Sequence, residues 1–423
     1  PRPAAMRSFL ILGSGTFLAL SLLGYHRWGT IDAVQRFAVT RALVHEGSVV
    51  TREFGPVKYG PTQPILMVPT YLIGHGAGLL AGSSDPGRVA YRVTAFLFSP
   101  LLVSATVALF AYFGARFVGS LRSSVLAALV LLWCTPLLAY SRLLFTEPLN
   151  AFLLLLSFLF LERSWQEDGR GLPAALLVQV LLSLNGLPFV AVLLGTIACA
   201  ALFHPAARCR AGRIRLAACS GLAIGLAGLG WAGYNLARYG PALSVGYAGE
   251  TFSTSPLLGL YGLLLSVGRG LLLYAPVTVG VLPLLVGEGP SGWRTKPLGF
   301  AFFVVFTCLY ASWGSFEGGW CWGPRFLVPF LPLLLLALVA RYDVLAGLPL
   351  RRRWFDGLLA FGGLSIAFVE FLGVYQAYER QTFEAGAVDY VLSVFDPRLS
   401  SIAHAWDAGR AASRLPQFLG ALI

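Results

Sequence analysis

The sequence predicts an all-α, polytopic membrane protein with about 11 transmembrane helices. Composition is the first reason: 57% of the residues are hydrophobic, only 12% are charged, and the mean hydropathy is +0.73. The second reason is the repetition of apolar runs that are long enough, or nearly long enough, to cross a bilayer. Such a composition excludes a soluble globular domain.

The apolar runs define the predicted spans in chain order. Run 9–23 follows two arginines, as a signal-peptide core does, but no small-residue cleavage pattern follows it, so we interpret it as a retained span. The interval 173–205 has to hold two short helices that turn near residues 185–188. The other predicted spans are 93–113, 125–138, 145–161, 216–236, 271–286, 298–310, 326–339 and 358–374.

Basic residues set the predicted topology, because Lys and Arg accumulate in cytoplasmic loops. Placing every basic cluster and the N-terminus inside requires an even number of spans between successive clusters. Residues 61–80 then cannot cross, and their three prolines favour juxtamembrane helices on the outer surface. We therefore predict a transmembrane catalytic domain over 1–376 with an outer loop at 25–92, and a short outer tail at 377–423. The location is the plasma (inner) membrane.

Several function classes are disfavoured by motifs that the sequence lacks. The six cysteines show no metal-ligand spacing and no disulfide framework. There is no GxxxxGK[ST] motif and no GxGxxG after a strand, so nucleotide-driven chemistry in a cytoplasmic domain is not indicated. Arginines in short loops explain the net charge of +12 better than nucleic-acid binding does. Without internal repeats, a secondary transporter is disfavoured.

Two carboxylates are candidates for chemistry on the predicted outer face. Asp32 follows the first span at the start of an amphipathic stretch, where its alternative role is to cap a helix. Glu147 opens an apolar span beside a proline, where its alternative role is to stabilise a helix N-terminus by its charge. Ionisable residues at such depth are costly and tend to be functional. Such a pair suits a general base and its support.

The segment 319–332, GWCWGPRFLVPFLP, contributes the third candidate group. Arg325 lies where a predicted span meets water, with Trp320 and Trp322 beside it at the headgroup level. A cation next to two stacking surfaces suits a ligand that is anionic at one end and sugar-like at the other. The alternative is an ordinary membrane anchor, with Arg325 on lipid phosphate and the tryptophans in an aromatic belt.

The order of these features resembles the GT-C superfamily of polyprenyl-phosphate-sugar-dependent glycosyltransferases, which includes protein O-mannosyltransferases and lipid A aminoarabinose transferases. The matching segments spread over residues 25–332 and share the predicted outer face. They are GTIDAVQRFAVTRAL, KYGPTQPILMVPTYLIG, FTEPL, NLARYGPALSVGY, SVGRGLLLYAP and EGGWCWGPRFLVPFLP.

The resemblance implies roles for individual residues. Asp32 matches the catalytic acid of the first loop, which deprotonates the acceptor hydroxyl, and Glu147 matches a supporting acid. Arg269 and Arg325 match basic positions suited to the donor phosphate. The other substrate-binding candidates are Lys58, Tyr59, Glu317, Trp320 and Trp322. The strict DxD motif of many relatives is absent, because Ala33 and Val34 follow Asp32, so no metal ligand is assigned and a divalent metal is not supported.

The implied activity is transfer of a sugar from a polyprenyl-phosphate donor to an acceptor hydroxyl with inversion, on the extracytoplasmic side. The partners are that lipid-linked donor, membrane lipids and a lipid, glycan or protein acceptor, with no nucleic acid. One alternative is a ligase or polymerase of lipid-linked oligosaccharides, although the chain lacks a large, arginine-rich outer loop late in the sequence. The other alternative is a lipid or sugar transporter, which is expected to carry more charges within its spans.

Overall fold

The computed structural model describes residues 3–23, 30–166, 169–244, 246–247, 249–278, 281, 293–319 and 321–346, with a few positions between 369 and 402. Within these residues the chain is helical and has no strand, apart from one isolated bridge between Thr51 and Gly55. The chain is an all-α polytopic membrane protein, as predicted. The last predicted span, 358–374, and the tail at 377–423 fall almost entirely outside the described residues.

The described helices are numbered in chain order. The first seven are α1 (Pro3–Leu22), α2 (Ile31–Glu46), α3 (Thr62–Leu80), α4 (Pro86–Phe113), α5 (Leu121–Trp133), α6 (Leu137–Tyr140) and α7 (Glu147–Gln166). The next seven described are α8 (Leu172–Asn185), α9 (Val190–Phe203), α10 (Arg210–Tyr239), α11 (Pro256–Leu264), α12 (Leu271–Tyr274), α13 (Lys296–Ala311) and α14 (Leu331–Ala346). A π turn, Gly114–Val118, extends α4, and a 3-10 turn, Arg325–Phe330, precedes α14.

Three described helices are long and apolar enough to cross a membrane: Pro86–Val118, Arg210–Tyr239 and Arg325–Asp343. Shorter apolar helices include Met6–Leu22, Leu121–Trp133 and Lys296–Ala311. The predicted hairpin at 173–205 is confirmed, because α8 and α9 are 14-residue helices joined by the 3-10 turn Leu187–Phe189. The total of about 11 spans stays a prediction.

Helix α3 occupies the stretch that was predicted to form juxtamembrane helices. It is one continuous helix of 19 residues with Pro69 inside it. Gly74 and Gly78 let α3 approach α4 closely, since an added Cβ would lie 2.7 Å from the Ala90 Cα and 2.9 Å from the Pro86 Cα. Helix α4 itself begins seven residues before the predicted span, where Asp85 caps it and Pro86 occupies the first turn.

The centre of the bundle is α14, whose leucines 333–336 are all buried. A helix that is apolar on every side is surrounded by other helices. Phe158 of α7 and Phe306 of α13 belong to the same hydrophobic cluster as α14. Of the three described helices that are long enough to cross a membrane, the one that begins with the 3-10 turn at Arg325 is buried most.

The C-terminal end of α7 is fixed by a buried carboxylate. Glu162 is 0% exposed and accepts hydrogen bonds from the backbone N–H groups of Arg294 and Thr295, at 3.0 and 2.8 Å. The Thr295 hydroxyl and the Gln166 amide donate to it as well, at 2.8 and 3.2 Å. Four donors around one carboxylate tie the end of α7 to the start of α13.

Candidate active site

Asp32 lies in the first turn of α2, and its carboxylate binds side chains from elsewhere in the chain. The Tyr59 hydroxyl donates to Oδ1 at 2.5 Å, and Arg325 Nη2 lies 2.9 Å from Oδ2. The N-cap position belongs to Thr30, not to Asp32. These contacts favour the chemical role of Asp32 over the alternative that it only caps the helix.

Arg325 also binds Glu147, the first residue of α7. Its Nε donates to Glu147 Oε1 at 2.7 Å, and its Nη1 donates to the Gly318 carbonyl at 3.2 Å. The guanidinium lies 4.2 Å from the centre of the Phe145 ring. Arg325 is thus a buried guanidinium shared by the buried Glu147 and the partly buried Asp32, and we call this set the Asp32–Arg325–Glu147 cluster. Glu147 Oε2 accepts no hydrogen bond from the described residues.

A polar network holds the start of α7 in place. Asn185, at the end of α8, donates to Asn150 Oδ1 at 2.6 Å and accepts from the Gln63 backbone N–H at 3.1 Å. The Gln63 side chain donates to the Leu144 carbonyl at 2.9 Å, just before Glu147. Because α3, α7 and α8 are joined here, Glu147 has a fixed position relative to Arg325.

The cluster keeps Asp32 ionised. Burial raises the pKa of Asp32, but the charges of Arg325 and Arg36 and the hydrogen bond from Tyr59 outweigh it and hold this pKa well below the usual value for aspartate. Burial raises the pKa of Tyr59 above its ordinary value, and the Asp32 carboxylate acts in the same direction. At neutral pH, Tyr59 is therefore a hydrogen-bond donor and Asp32 is a carboxylate.

Basic and aromatic side chains surround Tyr59. The Arg36 guanidinium lies 3.7 Å from the centre of the Tyr59 ring. Arg238, near the end of α10, donates to the carbonyls of Val57 and Tyr59 at 2.5 and 2.9 Å and so fixes this segment. Lys58 forms an ion pair with Glu250. The structure thus brings the predicted residues Lys58 and Tyr59 to the same place as Asp32.

Sequence reasoning missed Arg36 and Arg238, although each left a signal. Arg36 is four residues after Asp32, which places both on one face of a helix. Arg238 lies in the NLARYGPALSVGY segment that carries part of the family resemblance. The sequence offered no way to see that both arginines meet the backbone or ring of Tyr59.

The 317–325 loop differs from its predicted form. Trp322 was predicted at the headgroup level, but the structure buries it completely, edge-on to Tyr274 at 5.3 Å between ring centroids. It therefore packs in the core and offers no surface to a sugar. Glu317 is buried in the same loop, and Trp320 lies outside the described residues.

Arg269 holds this loop in place through hydrogen bonds to its backbone. Its guanidinium donates to the carbonyls of Cys321 and Gly319 at 2.6 and 2.9 Å, and the side chain is buried. The resemblance implied a phosphate ligand at this position. The described contacts instead make Arg269 a positioning residue for the loop that ends at Arg325. Its phosphate role stays a prediction.

The carboxylates of the site are arranged around a guanidinium. Among the described residues, no group of three or more His, Cys, Asp or Glu side chains could hold a metal ion. Asp32 and Glu147 instead meet at the Arg325 guanidinium, which already supplies a positive charge between them.

Comparison with known proteins identifies the fold. No protein-family model matches the sequence, and no curated protein matches it. The crystal structure of ArnT from Cupriavidus metallidurans in the apo state is similar over 95% of this chain and 75% of that chain, with a TM-score of 0.56 and 13% identity. ArnT from the same organism bound to undecaprenyl phosphate is similar over 98% and 79%, with a TM-score of 0.53 and 13% identity.

These similarities define the class of architecture. This chain shares the fold of ArnT over most of its length and is all helical within the described residues, which agrees with the fold that the resemblance implied. At 13% identity the similarity shows the fold alone. The roles of individual residues rest on the geometry of the Asp32–Arg325–Glu147 cluster.

Proposed function

We propose that this protein is an integral-membrane glycosyltransferase that moves a sugar from a polyprenyl-phosphate donor to an acceptor hydroxyl. The observation that carries the proposal is the Asp32–Arg325–Glu147 cluster, set in a GT-C fold. A carboxylate whose pKa is strongly shifted by neighbouring charges, as that of Asp32 is, is typical of functional sites. One of the similar structures, ArnT, was solved with undecaprenyl phosphate bound, which supports a lipid-linked donor for this chain.

In the proposed reaction the acceptor oxygen attacks the anomeric carbon while the bond from that carbon to the phosphate oxygen breaks. The electron pair leaves with the phosphate, the acceptor proton moves to Asp32, and the anomeric configuration inverts. Asp32 is a weak base because its pKa is low. A weak base suffices if the proton moves late, after the new bond has made the hydroxyl strongly acidic. Glu147 keeps Arg325 oriented towards Asp32, and Tyr59 fixes the carboxylate.

The substrate-binding part of the proposal uses the remaining predicted residues. Lys58 and Tyr59 lie beside Asp32 and are suited to the phosphate and to the sugar face, respectively. Arg325 supplies positive charge to the developing phosphate anion, and Arg269 acts through the loop that it holds. The site faces the extracytoplasmic side of the plasma membrane, where sugar nucleotides are absent and a lipid-linked donor is needed.

The decisive experiment compares wild type with Asp32→Asn in detergent. Undecaprenyl-phosphate pentoses and hexoses are the donors, a membrane extract supplies acceptors, and released undecaprenyl phosphate is measured. Wild type should release undecaprenyl phosphate, whereas Asp32→Asn should bind that product but not form it. If the wild type forms none from any donor, the proposal fails. Movement of intact donor across vesicles would then favour the transporter alternative.

A labelling experiment tests which side the site faces. The native thiol of Cys209 is exposed in a predicted cytoplasmic loop, and Ser315 is exposed in a predicted outer loop. In a Cys308→Ala background, Ser315→Cys should react with an impermeant maleimide in intact cells, and Cys209 only after permeabilisation. The reverse pattern would place Asp32 in the cytoplasm and contradict the proposed donor.

A further inference from the structure

Arg36 differs from the other buried arginines around the site. It is 3% exposed, yet its only hydrogen bond among the described residues is a long one, from Nη1 to the backbone carbonyl of Asp32 at 3.3 Å. Its Nε is buried and has no partner, as in Arg238, but Arg36 also lacks the short hydrogen bonds that Arg238 makes through its other nitrogens, and no described carboxylate forms an ion pair with it. A guanidinium has five N–H donors, so most of the donors of Arg36 are unused.

The neighbouring arginines have a different environment. Arg325 binds two carboxylates at 2.7 and 2.9 Å. Arg238 donates to the Val57 carbonyl and to Asn235 Oδ1, both at 2.5 Å, and Arg269 donates to two backbone carbonyls at 2.6 and 2.9 Å. These three side chains have structural partners that account for their burial. Arg36 makes only one long hydrogen bond to the described residues, although a buried polar group is costly unless it is hydrogen-bonded.

The position of Arg36 indicates which kind of group could accept hydrogen bonds from its unused N–H groups. The face of its guanidinium stacks on Tyr59, the residue that donates to Asp32, so its edge remains for hydrogen bonding. Lys58, which pairs with Glu250, has its Nζ 6.0 Å from the centre of the same ring. A tetrahedral oxyanion matches this arrangement, because two of its oxygens can accept from one guanidinium edge.

We propose that Arg36 binds the phosphate group of the donor lipid and so fixes the reacting sugar beside Asp32. This inference rests on the proposed function and adds a residue to it. The phosphate accepts hydrogen bonds from N–H groups of Arg36 that find no acceptor among the described residues. When the donor binds, Arg325 then keeps its ion pairs with both Asp32 and Glu147, because it does not have to exchange either of them for the phosphate.

The test measures binding to three probes in detergent: undecaprenyl phosphate, undecaprenol, which lacks the phosphate, and inorganic phosphate as a competitor. Arg36→Met should weaken undecaprenyl phosphate binding about tenfold or more and leave undecaprenol binding unchanged. Arg36→Lys should be intermediate, because it keeps the charge but loses the planar edge. Inorganic phosphate should compete with the lipid phosphate in wild type and much less in Arg36→Met.

Arg41→Met is the matched control, because Arg41 lies on the same helix and pairs with Glu53 at the exposed surface. It should bind all three probes like wild type. Thermal unfolding separates binding from structure: Arg36→Met should unfold at about the same temperature as wild type, since it removes only one long hydrogen bond to the described residues.

Equal binding of undecaprenyl phosphate by wild type and Arg36→Met would overturn the assignment of Arg36 and leave the proposed function standing. A lower unfolding temperature with equal loss of undecaprenol and undecaprenyl phosphate binding would also overturn it, because Arg36 would then be structural. If wild type binds no undecaprenyl phosphate, the proposed function fails together with this inference.

Discussion

The two ends of α7 each carry a buried glutamate, and their surroundings are opposite. Glu162 accepts four hydrogen bonds from neutral donors of the backbone, a hydroxyl and an amide. Glu147 binds the charged Arg325 through one oxygen, while its other oxygen accepts no hydrogen bond from the described residues. Both side chains are buried to a similar extent, so burial alone does not separate them.

The difference teaches how to distinguish a structural carboxylate from a functional one. A carboxylate saturated by neutral donors holds two segments together and has no capacity left for a ligand. A carboxylate that shares one cation with a second carboxylate still has oxygen lone pairs that can accept hydrogen bonds from a ligand. Its own charge is compensated by a cation that a second group also binds. Glu162 is of the first kind, and Glu147 and Asp32 are of the second kind.

Asp32→Asn should have the largest effect and tests whether Asp32 is a functional carboxylate. Turnover should fall about 10³-fold, because the amide cannot accept the acceptor proton. The fold should persist, since an asparagine keeps the shape and can still accept from Tyr59. Release of undecaprenyl phosphate from sugar-linked donors is the measurement, and Asp85→Asn is the control, because Asn caps α4 as well as Asp does. Near-normal turnover would return Asp32 to a structural role.

Matched substitutions at the two glutamates test the comparison directly. Glu147→Gln should lower turnover roughly 100-fold with little change in unfolding temperature, because Arg325 keeps its bond to Asp32. Glu162→Gln should do the reverse: it should cost about 1–3 kcal/mol of stability and leave the turnover of the folded protein intact. Interchanged results would show that the hydrogen-bond pattern does not predict the role of a buried carboxylate.

The pH dependence of turnover tests whether Arg325 controls the protonation of Asp32. The low pKa of Asp32 means that its ionised form, and the stability that it contributes, are present above the unfolded value of about 3.9 and are lost only as the pH falls through the lower folded value. Wild type should therefore show no acid limb from Asp32 between pH 5 and 8. Arg325→Met removes the charge that lowers the pKa of Asp32 most and leaves burial to raise it, so an acid limb should enter this range. A profile as flat as that of wild type would show that Arg325 does not control Asp32.

Tyr59→Phe should have the smallest effect. It removes one hydrogen bond to Oδ1 of Asp32 and keeps the ring on which Arg36 stacks. Turnover should fall less than about tenfold, with donor binding unchanged, because Arg325 still holds the carboxylate. The control is Tyr71→Phe, which removes a hydroxyl that joins Tyr71 of α3 to His45 of α2. A loss as large as that of Asp32→Asn would mean that Tyr59 itself takes part in proton transfer.

Much of the fold and part of the site could be predicted from the sequence. Apolar runs and turn residues predicted the α8–α9 hairpin, and acids at helix starts predicted Asp32 and Glu147. The burial of Trp322 could not be predicted, because the belt rule treats tryptophans near span ends as interfacial, and the packing against Tyr274 joins distant segments. Arg36 was overlooked because a polar residue on an amphipathic helix is usually solvated.

Because Asp32 and Glu147 both bind Arg325, the cluster can form only after Arg325 has been synthesised. Glu147 and Arg325 are 178 residues apart in the chain. At about 5–20 residues per second, a ribosome needs roughly 10–35 s to synthesise the interval between them. Throughout that time the two carboxylates lack the cation that compensates them in the folded protein, so they have to stay hydrated at the membrane surface. The closing of this polar cluster by Arg325 is thus a late event in biogenesis, which requires most of the helix bundle to be in the membrane first.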